Sequence, residues 1–104
     1  MAKYADSIIP DHDEHRCWLC GRNGNADPLD RHEIFHEDCG GKMRDRSKEL
    51  GLWVHLCHCR CHLGGVHAHG DIDRQLKQVG QEMAMQVYGL NTQQFILTFG
   101  KNYL

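Results

Sequence analysis

The sequence has only two prolines, Pro10 and Pro28, and it has no long hydrophobic run. A membrane-spanning helix needs about 18 to 20 consecutive apolar residues, and no stretch of this chain approaches that length. The first sixteen residues also lack the apolar stretch of a signal peptide. We therefore predict a protein of the cytoplasm that does not contact a membrane, with secretion after removal of a leader as the alternative.

Material for a hydrophobic core is also limited. The chain has 104 residues, which predicts a single small domain, and its 40% hydrophobic residues include six cysteines. A core of this size rarely contributes more than about 3 to 5 kcal/mol. A structural zinc ion contributes about 10 to 16 kcal/mol of binding free energy when its site forms only on folding. Since thiols stay reduced in the cytosol, we expect the cysteines to bind metal and the metal to dominate stability.

Four of the cysteines have the spacing of zinc ligands. Cys17 and Cys20 are separated by two residues, as in a zinc knuckle, and Cys57 and Cys61 are one helical turn apart. A structural zinc ion takes four nitrogen or sulfur ligands in a closed tetrahedral site. We therefore predict a zinc ion bound by Cys17, Cys20, Cys57 and Cys61, with Cys59 as the alternative ligand in the second pair.

The first half of the chain carries the signals of two strands. They are expected over residues 29–35 and 52–57, because β-branched and aromatic residues are frequent there. A helical turn is expected over residues 46–50. Residues 36–41 are expected to form a loop. Gly64-Gly65 is expected to interrupt regular secondary structure after the second cysteine pair.

The second half carries helix signals. Apolar residues at helical spacing predict a long helix between Asp71, as its N-cap, and Gly89, just past its end. A shorter helix is expected to follow, with Asn91 or Thr92 as its N-cap and with Gln94 placed to form a capping box with Asn91. The polar residues 1–15 are expected to form a flexible arm, which leaves residues 16–104 as the folded domain.

Histidines form a second candidate metal site. His32 lies in the first predicted strand, and His62 and His67 follow the second cysteine pair. A catalytic metal ion needs about three protein ligands and one open position for water or a phosphate oxygen. These three histidines could supply the ligands, and the alternative for His67 is a solvated loop residue. Other histidines are interpreted as surface or packing residues, namely His12, His15, His36, His55 and His58.

One short basic stretch lies in a chain whose formal net charge is −2. That charge argues against indiscriminate adhesion to polyanions, but it leaves local binding of nucleic acid open. A charge run of this kind is usually a solvated surface, whereas beside a metal site it becomes a contact for phosphates. We therefore predict that the DNA backbone is contacted, without reading of the base sequence, by Lys42, Arg44, Arg46 and Lys48.

Several motifs together resemble the small HNH-type (His-Me finger, ββα-metal) proteins of phages and prophages of Gram-positive bacteria. The motifs are Leu29 to Phe35, Arg44 to Cys57, Cys61-His62, Gly65 to His67 and Phe99 to Leu104. The resemblance covers about residues 15–104 and extends to recombination-enhancing, RecA-dependent nucleases. It implies a small zinc-stabilised α+β domain of ββα-metal type, in which two strands and a helix hold one divalent ion, with further helices at the C-terminus.

The resemblance also implies a function and its residues. The expected activity is metal-dependent cleavage of DNA in recombination or replication, with Mg²⁺, Mn²⁺ or Zn²⁺ as the catalytic ion and a RecA-type filament as a partner by analogy. His32, Glu33, His62 and His67 are the expected catalytic residues, and the three histidines among them are the expected ligands of the ion.

Two positions differ from the family motif. The family usually has Asp-His or His-His where this chain has His32-Glu33. His32 is then either the metal ligand, with Glu33 as the base, or the base itself. No asparagine lies between Glu33 and His62. His62 or His67 is therefore expected to take the place of the family's asparagine.

Two other functions are alternatives. The differences at Glu33 and at the missing asparagine favour a non-catalytic zinc module that binds nucleic acid or a protein. A zinc-stabilised thiol redox protein could instead use Cys57, Cys59 and Cys61, but a reactive thiol needs a lowered pKa, for which the sequence gives no indication.

Overall fold

The computed structural model describes residues 3–36 and 41–104. Its elements follow in the order β1 Leu29–Glu33, α1 Lys42–Glu49, β2 Trp53–Cys57, a π-helical segment His58–Val66, α2 Gly70–Tyr88 and α3 Thr92–Phe99. The α+β class and the presence of both predicted strands are confirmed, although β1 ends at Glu33 and not at Phe35, and β2 begins at Trp53 and not at Leu52. Among the described helices, none is both long and apolar enough to cross a lipid bilayer. Most of the loop predicted over residues 36–41 lies outside the described residues, together with Cys39, to which we assigned no role.

β1 and β2 pair in antiparallel orientation, and their register places Cys57 and His32 towards opposite ends of the sheet. Leu29 lies opposite Cys57, whereas His32 lies opposite Val54, three pairs further along. In an antiparallel pair, residues that face each other have their side chains within contact distance. A cysteine cluster and a histidine cluster can therefore form at different ends of the same two-stranded sheet.

α1 covers the whole basic stretch, not only the single turn predicted over residues 46–50. Ser47 anchors its buried face, because the Ser47 Oγ donates to the Phe35 carbonyl at 2.9 Å and accepts from the Phe35 N–H at 3.1 Å. Gly41 precedes the helix with φ 74°, a left-handed conformation that glycine adopts without strain. A buried polar side chain thus fixes α1 against the chain that leaves β1.

The predicted ends of the last two helices are partly correct. The assignment of Asp71 as N-cap is wrong: His69 is the N-cap of α2. Asp71 lies in the first turn, where its negative charge faces the positive end of the helix dipole. Gly89, with φ 66°, ends the helix as predicted. The capping box of α3 is confirmed, since the Gln94 N–H donates to the Asn91 Oδ1 at 2.8 Å.

The predicted interruption of secondary structure at Gly64-Gly65 is wrong. Residues 58–66 form a wide helical turn, and the His67 N–H donates to the His62 carbonyl at 3.1 Å. Gly64 permits this path because a Cβ atom there would lie only 2.8 Å from the Cys59 carbonyl oxygen. The glycine therefore allows a close backbone contact inside the helix. Short π-helical turns are rare and occur frequently at functional sites.

The aromatic core supports the end of β1. Phe35 is fully buried two residues beyond the strand. Its ring centroid lies 4.5 Å from that of Phe99, 5.4 Å from that of Phe95 and 5.5 Å from that of Tyr103. Full burial of one such side chain contributes about 1.5 to 3 kcal/mol. These contacts join the sheet to α3 and to the C-terminal residues.

The N-terminal segment is attached to the domain. The indole N–H of Trp53 donates to the Ala5 carbonyl at 2.7 Å, and Ile9 is buried in the core. The division into a flexible arm of residues 1–15 and a domain of residues 16–104 stays a prediction. The contacts show that the described part of the segment lies against β2.

Candidate metal centres

Four cysteine sulfurs converge at one end of the sheet. Those of Cys17, Cys20, Cys57 and Cys61 all lie within 4.8 Å of one another, and the Sγ atoms of Cys20 and Cys57 are 3.4 Å apart. All four are free thiols, and all except Cys20 are buried. Cys59 is exposed and does not belong to this group. The cluster could hold a metal ion such as zinc, and it contains Cys61 in place of the alternative, Cys59.

A tight turn brings the first cysteine pair together. The Cys17 N–H donates to the Arg22 carbonyl at 2.8 Å, and the Gly21 N–H donates to the Cys17 carbonyl at 2.9 Å. Gly21 has φ 76°, which a residue with a Cβ atom adopts only at a cost. The second pair consists of the last residue of β2 and a residue on the π-helical turn that follows it.

The four thiols differ in their tendency to ionise. Burial and the neighbouring thiols raise the pKa of Cys57 to about 12, and the same causes raise the pKa of Cys61. Burial also acts to raise the pKa of Cys20, but hydrogen bonds with the Arg22 backbone and with the other thiols outweigh it and lower this pKa to about 6. Neighbouring thiolates repel each other. A divalent cation would offset this repulsion, because it binds the thiolate form.

Three imidazoles converge where β1 meets the π-helical segment. The ring centroid of His32 lies 5.1 Å from that of His62 and 5.4 Å from that of His67. The Nε2 atoms of His62 and His67 are 3.1 Å apart, and the three residues form a group whose ligand atoms lie within 4.8 Å of one another. The wide turn between residues 62 and 67 brings their two rings to the same side. The predicted histidines thus lie together and could hold a metal ion.

His32 is the buried member of this group. It is 3% exposed, and its Nε2 atom has no hydrogen-bond partner among the described residues. Burial lowers the pKa of His32 to about 2, and the charges of His36, His62, His67 and Lys77 add to the effect. An unpaired buried nitrogen costs about 1 to 3 kcal/mol. Because a neutral imidazole offers a lone pair, a metal ion at this atom would supply the missing partner.

Asp30 orients His62 from behind. The Asp30 Oδ2 lies 2.8 Å from the His62 Nδ1 and 2.6 Å from the His58 Nδ1. An Nδ1–H that donates to Asp30 leaves the Nε2 of His62 with a lone pair, which is the tautomer that a metal ligand needs. Our sequence interpretation missed both Asp30 and His58. Strand alternation was an available signal, because Asp30 and His32 are two residues apart and share a face of β1.

An open pocket of about 170 Å³ lies over the histidines. Its lining residues come from β1, α1 and the chain around the π-helical segment, and they are Arg31, His32, Glu33, His36, Arg44, His62 and His67. The Glu33 Oε1 lies 3.8 Å from the Lys48 Nζ. Burial, and then the charge and hydrogen bond of Glu33, raise the pKa of Tyr4 to about 12. A carboxylate with two polar neighbours therefore lies beside the imidazoles.

The residues predicted to contact phosphate have different surroundings. Arg44 lines the pocket together with Arg31. Arg46 donates to a backbone carbonyl of α3 at 2.6 Å. Lys48 lies near a carboxylate of the pocket, and Lys42 is the first residue of α1. Of the four predicted residues, Arg44 is therefore the one that faces the histidines.

His36 and Asp73 extend the histidine cluster. The ring centroid of His36 lies 5.3 Å from that of His32 and 5.5 Å from that of His67. Its Nε2 lies 3.9 Å from the Asp73 Oδ1. His32, His36 and Asp73 form a second group whose ligand atoms lie within 4.8 Å of one another. The interpretation of His36 as a surface or packing residue is therefore corrected, because its side chain lines the pocket.

Comparisons with known proteins assign no family to the chain. No protein-family model matches it, and neither the curated proteins nor the solved structures contain a match. The two clusters and the pocket are therefore the features that bear on its function.

Proposed function

We propose that the protein is a small, zinc-stabilised, metal-dependent DNA endonuclease of the HNH type. The observation that carries this proposal is the convergence of three histidines on an open pocket that also contains Glu33 and Arg44. Hydrolysis of a phosphodiester needs a cation to offset negative charge, a base to activate water and a group that positions the phosphate. The pocket contains residues suited to all three tasks.

The order of the elements supports the ββα-metal fold as part of this proposal. His32 lies on β1, whereas His62 lies on the helical segment that directly follows β2 and His67 lies just past it. The resemblance found in the sequence implies this order, with two strands and a helix around one ion.

His32 serves as a ligand in this proposal, and Glu33 serves as the general base. The Nε2 of His32 is buried near two other imidazoles, so it is poorly placed to exchange a proton with a water molecule in the pocket. The Glu33 carboxylate lines the same pocket and could accept that proton. Arg44 would hold a phosphate oxygen. A bound divalent ion would offset charge on the phosphate and on the leaving oxygen.

Zinc in the cysteine cluster is the second part of the proposal. Four sulfurs in a closed group are a common ligand set of structural zinc. The burial of Cys17, Cys57 and Cys61, and the short sequence separation within each pair, suit a site that holds the fold together. A cytoplasmic location stays a prediction from the lack of a signal peptide and of a long apolar run. A role in phage recombination or replication and a RecA-type filament as partner stay predictions from the resemblance.

A non-catalytic zinc module that binds nucleic acid or a protein is the second candidate. One observation favours it: the Glu33 Oε1 lies 3.8 Å from the Lys48 Nζ, and this ammonium group would compete with a water molecule for the carboxylate. The redox alternative has less support, because the pKa values of Cys57 and Cys61 are raised and a reactive thiol needs a lowered one.

A nicking assay on supercoiled plasmid and on single-stranded circles tests the proposal. Wild type and His32→Ala are compared in Mg²⁺, Mn²⁺, Ni²⁺ and Zn²⁺, with His15→Ala as the control because His15 is exposed outside the pocket. We expect metal-dependent cleavage that His32→Ala abolishes and His15→Ala retains. Absence of cleavage by folded, zinc-loaded wild type in every metal would favour the binding module.

A further inference from the structure

We propose a second cation position, formed by His32 and His36 of the pocket together with Asp73 of α2, which shares His32 with the position formed by His62 and His67. The two groups of ligand atoms meet at His32, and each group lies within 4.8 Å. The metal site expected from the sequence contains neither His36 nor Asp73. This second position therefore has two ligands of its own, and it does not depend on whether the protein cleaves DNA.

The burial of these side chains supports a binding role. The side chains of His36 and Asp73 are only 17% and 20% exposed, and the His36 Nε2 lies 3.9 Å from the Asp73 Oδ1. That distance is too long for a hydrogen bond but suits two ligands of one ion. His32 completes the group, and its Nε2 has no hydrogen-bond partner among the described residues.

A shared ligand makes the two positions mutually exclusive. We assign the Nε2 of His32 to both positions, because this nitrogen has no hydrogen-bond partner among the described residues. An imidazole nitrogen has one lone pair, so it can bind one ion at a time. The pocket is therefore expected to hold a single ion, which has two alternative sets of partners. Occupancy of the second position would leave His62 and His67 unligated.

The two positions differ in the cations that they favour. Three imidazoles suit Zn²⁺, Ni²⁺ and Cu²⁺, whereas carboxylate ligands also suit Mn²⁺. Asp73 supplies such a carboxylate to the second position. Its other oxygen lies 2.8 Å from the Nζ of Lys77, and this ammonium group would compete with a bound cation. We therefore expect the second position to bind Mn²⁺, and to bind it more weakly than the first position binds Zn²⁺.

Titration of Mn²⁺ into protein whose cysteine cluster is zinc-loaded tests the inference, with calorimetry and electron paramagnetic resonance as readouts. The double variant His62→Ala/His67→Ala should still bind one Mn²⁺ per chain. Adding Asp73→Asn should weaken that binding at least tenfold, whereas Asp71→Asn, a control in the same turn of α2, should not. Loss of Mn²⁺ binding in a folded double variant, or unchanged binding after Asp73→Asn, would overturn the inference.

A second measurement applies if the double variant does not fold. In the otherwise wild-type chain, Asp73→Asn should weaken Mn²⁺ binding at least tenfold and leave Zn²⁺ binding to the pocket unchanged, because Asp73 contributes to one position alone. Zn²⁺ should also displace Mn²⁺ one for one. Equal effects of Asp73→Asn on both metals, or binding of Zn²⁺ and Mn²⁺ together in the pocket, would contradict the proposal. Neither result depends on nuclease activity.

Discussion

The carboxylate of Asp30 lies 2.8 Å from the Nδ1 of His62, on the side of the ring that faces away from His67. The His62 ring is thus held between a carboxylate and a second imidazole. A carboxylate in this position fixes both the tautomer and the direction of a ligating histidine. Asp30 therefore has the geometry of a positioning residue for the first cation position.

Replacement of Asp30 by Asn is predicted to weaken metal binding in the pocket by about 10- to 100-fold, because a neutral amide holds the tautomer less firmly. The measurement is calorimetric titration of Zn²⁺ into protein whose cysteine cluster is already loaded. His58→Ala is the matched control, since it removes the other partner of Asp30 and leaves the bond to His62 in place. Equal losses in the two variants would contradict a specific role of Asp30 at His62.

Arg44 and Arg46 provide a matched pair for DNA binding. Arg44 lines the pocket, whereas Arg46 is engaged with the backbone of α3. We predict that Arg44→Ala weakens DNA binding and reduces the slope of log K against log salt by about 0.9, the value for one lost phosphate contact. Arg46→Ala should change the slope less. Fluorescence anisotropy over a series of salt concentrations measures the slopes of both variants. An unchanged slope for Arg44→Ala would show that Arg44 does not contact a phosphate.

Cys61 and Cys59 test the composition of the cysteine cluster. Cys61→Ser is predicted to lose zinc and to unfold the domain, because binding of a structural metal supplies much of the folding free energy of small domains. Cys59→Ser should retain one zinc ion per chain and the wild-type far-UV circular dichroism, since Cys59 is exposed and outside the cluster. Full zinc content in Cys61→Ser, or its loss in Cys59→Ser, would show that the ligand set is different.

The sequence predicted the parts of the fold that depend on local patterns. Strand composition located β1 and β2, and the capping box at Asn91 and the left-handed Gly89 marked helix ends, because each depends on a few neighbouring residues. The cysteine pairs were also predictable, since their spacing reflects ligand geometry, and the histidines were predictable from their positions near the ends of predicted elements. The residues singled out as ligands lie together in the structure.

The missed features depend on contacts between distant parts of the chain. Asp30 reaches His62 only because the two strands bring it beside the π-helical segment, and Asp73 reaches His36 from α2. Ser47 supports α1 by a hydrogen bond to the backbone of Phe35, although its polarity alone would place this serine at the surface. Strand alternation places Asp30 on the face of β1 that carries His32, but the partners of all three residues depend on tertiary packing, which periodicity along a single sequence does not encode.

Stability is predicted to fall as the pH decreases below about 6.5. Burial lowers the pKa of His32 from 6.5 to about 2, so between these values the unfolded chain binds a proton at His32 that the folded chain does not. Protonation then favours the unfolded state. For protein without metal in the pocket, the free energy of unfolding should decrease by about 1 kcal/mol between pH 7.5 and 6.0. Urea unfolding measures this free energy, and His32→Leu should reduce its dependence on pH. An equal pH dependence in wild type and variant would exclude His32 as the source.

Gly80 lies in the middle of α2, where alanine would ordinarily be more favourable by about 1 kcal/mol. A Cβ atom at this position would lie 3.1 Å from both the Ile34 Cγ2 and the Phe35 Cε2, closer than ordinary van der Waals contact. Overpacking of this kind costs about 1 to 3 kcal/mol. We therefore predict that Gly80→Ala destabilises the domain by about 1 kcal/mol, because the steric cost exceeds the gain in helix propensity.

Gly70→Ala is the control for this prediction, because a Cβ atom at Gly70, the first residue of α2, would meet nothing within 4 Å. That variant should be neutral or slightly stabilising, since alanine reduces the conformational entropy of the unfolded chain. Urea unfolding of the two zinc-loaded variants provides the comparison. If Gly80→Ala were as stable as Gly70→Ala, α2 would have to lie further from Phe35 than the structure places it, and the support that this core gives to the His32 end of β1 would be weaker.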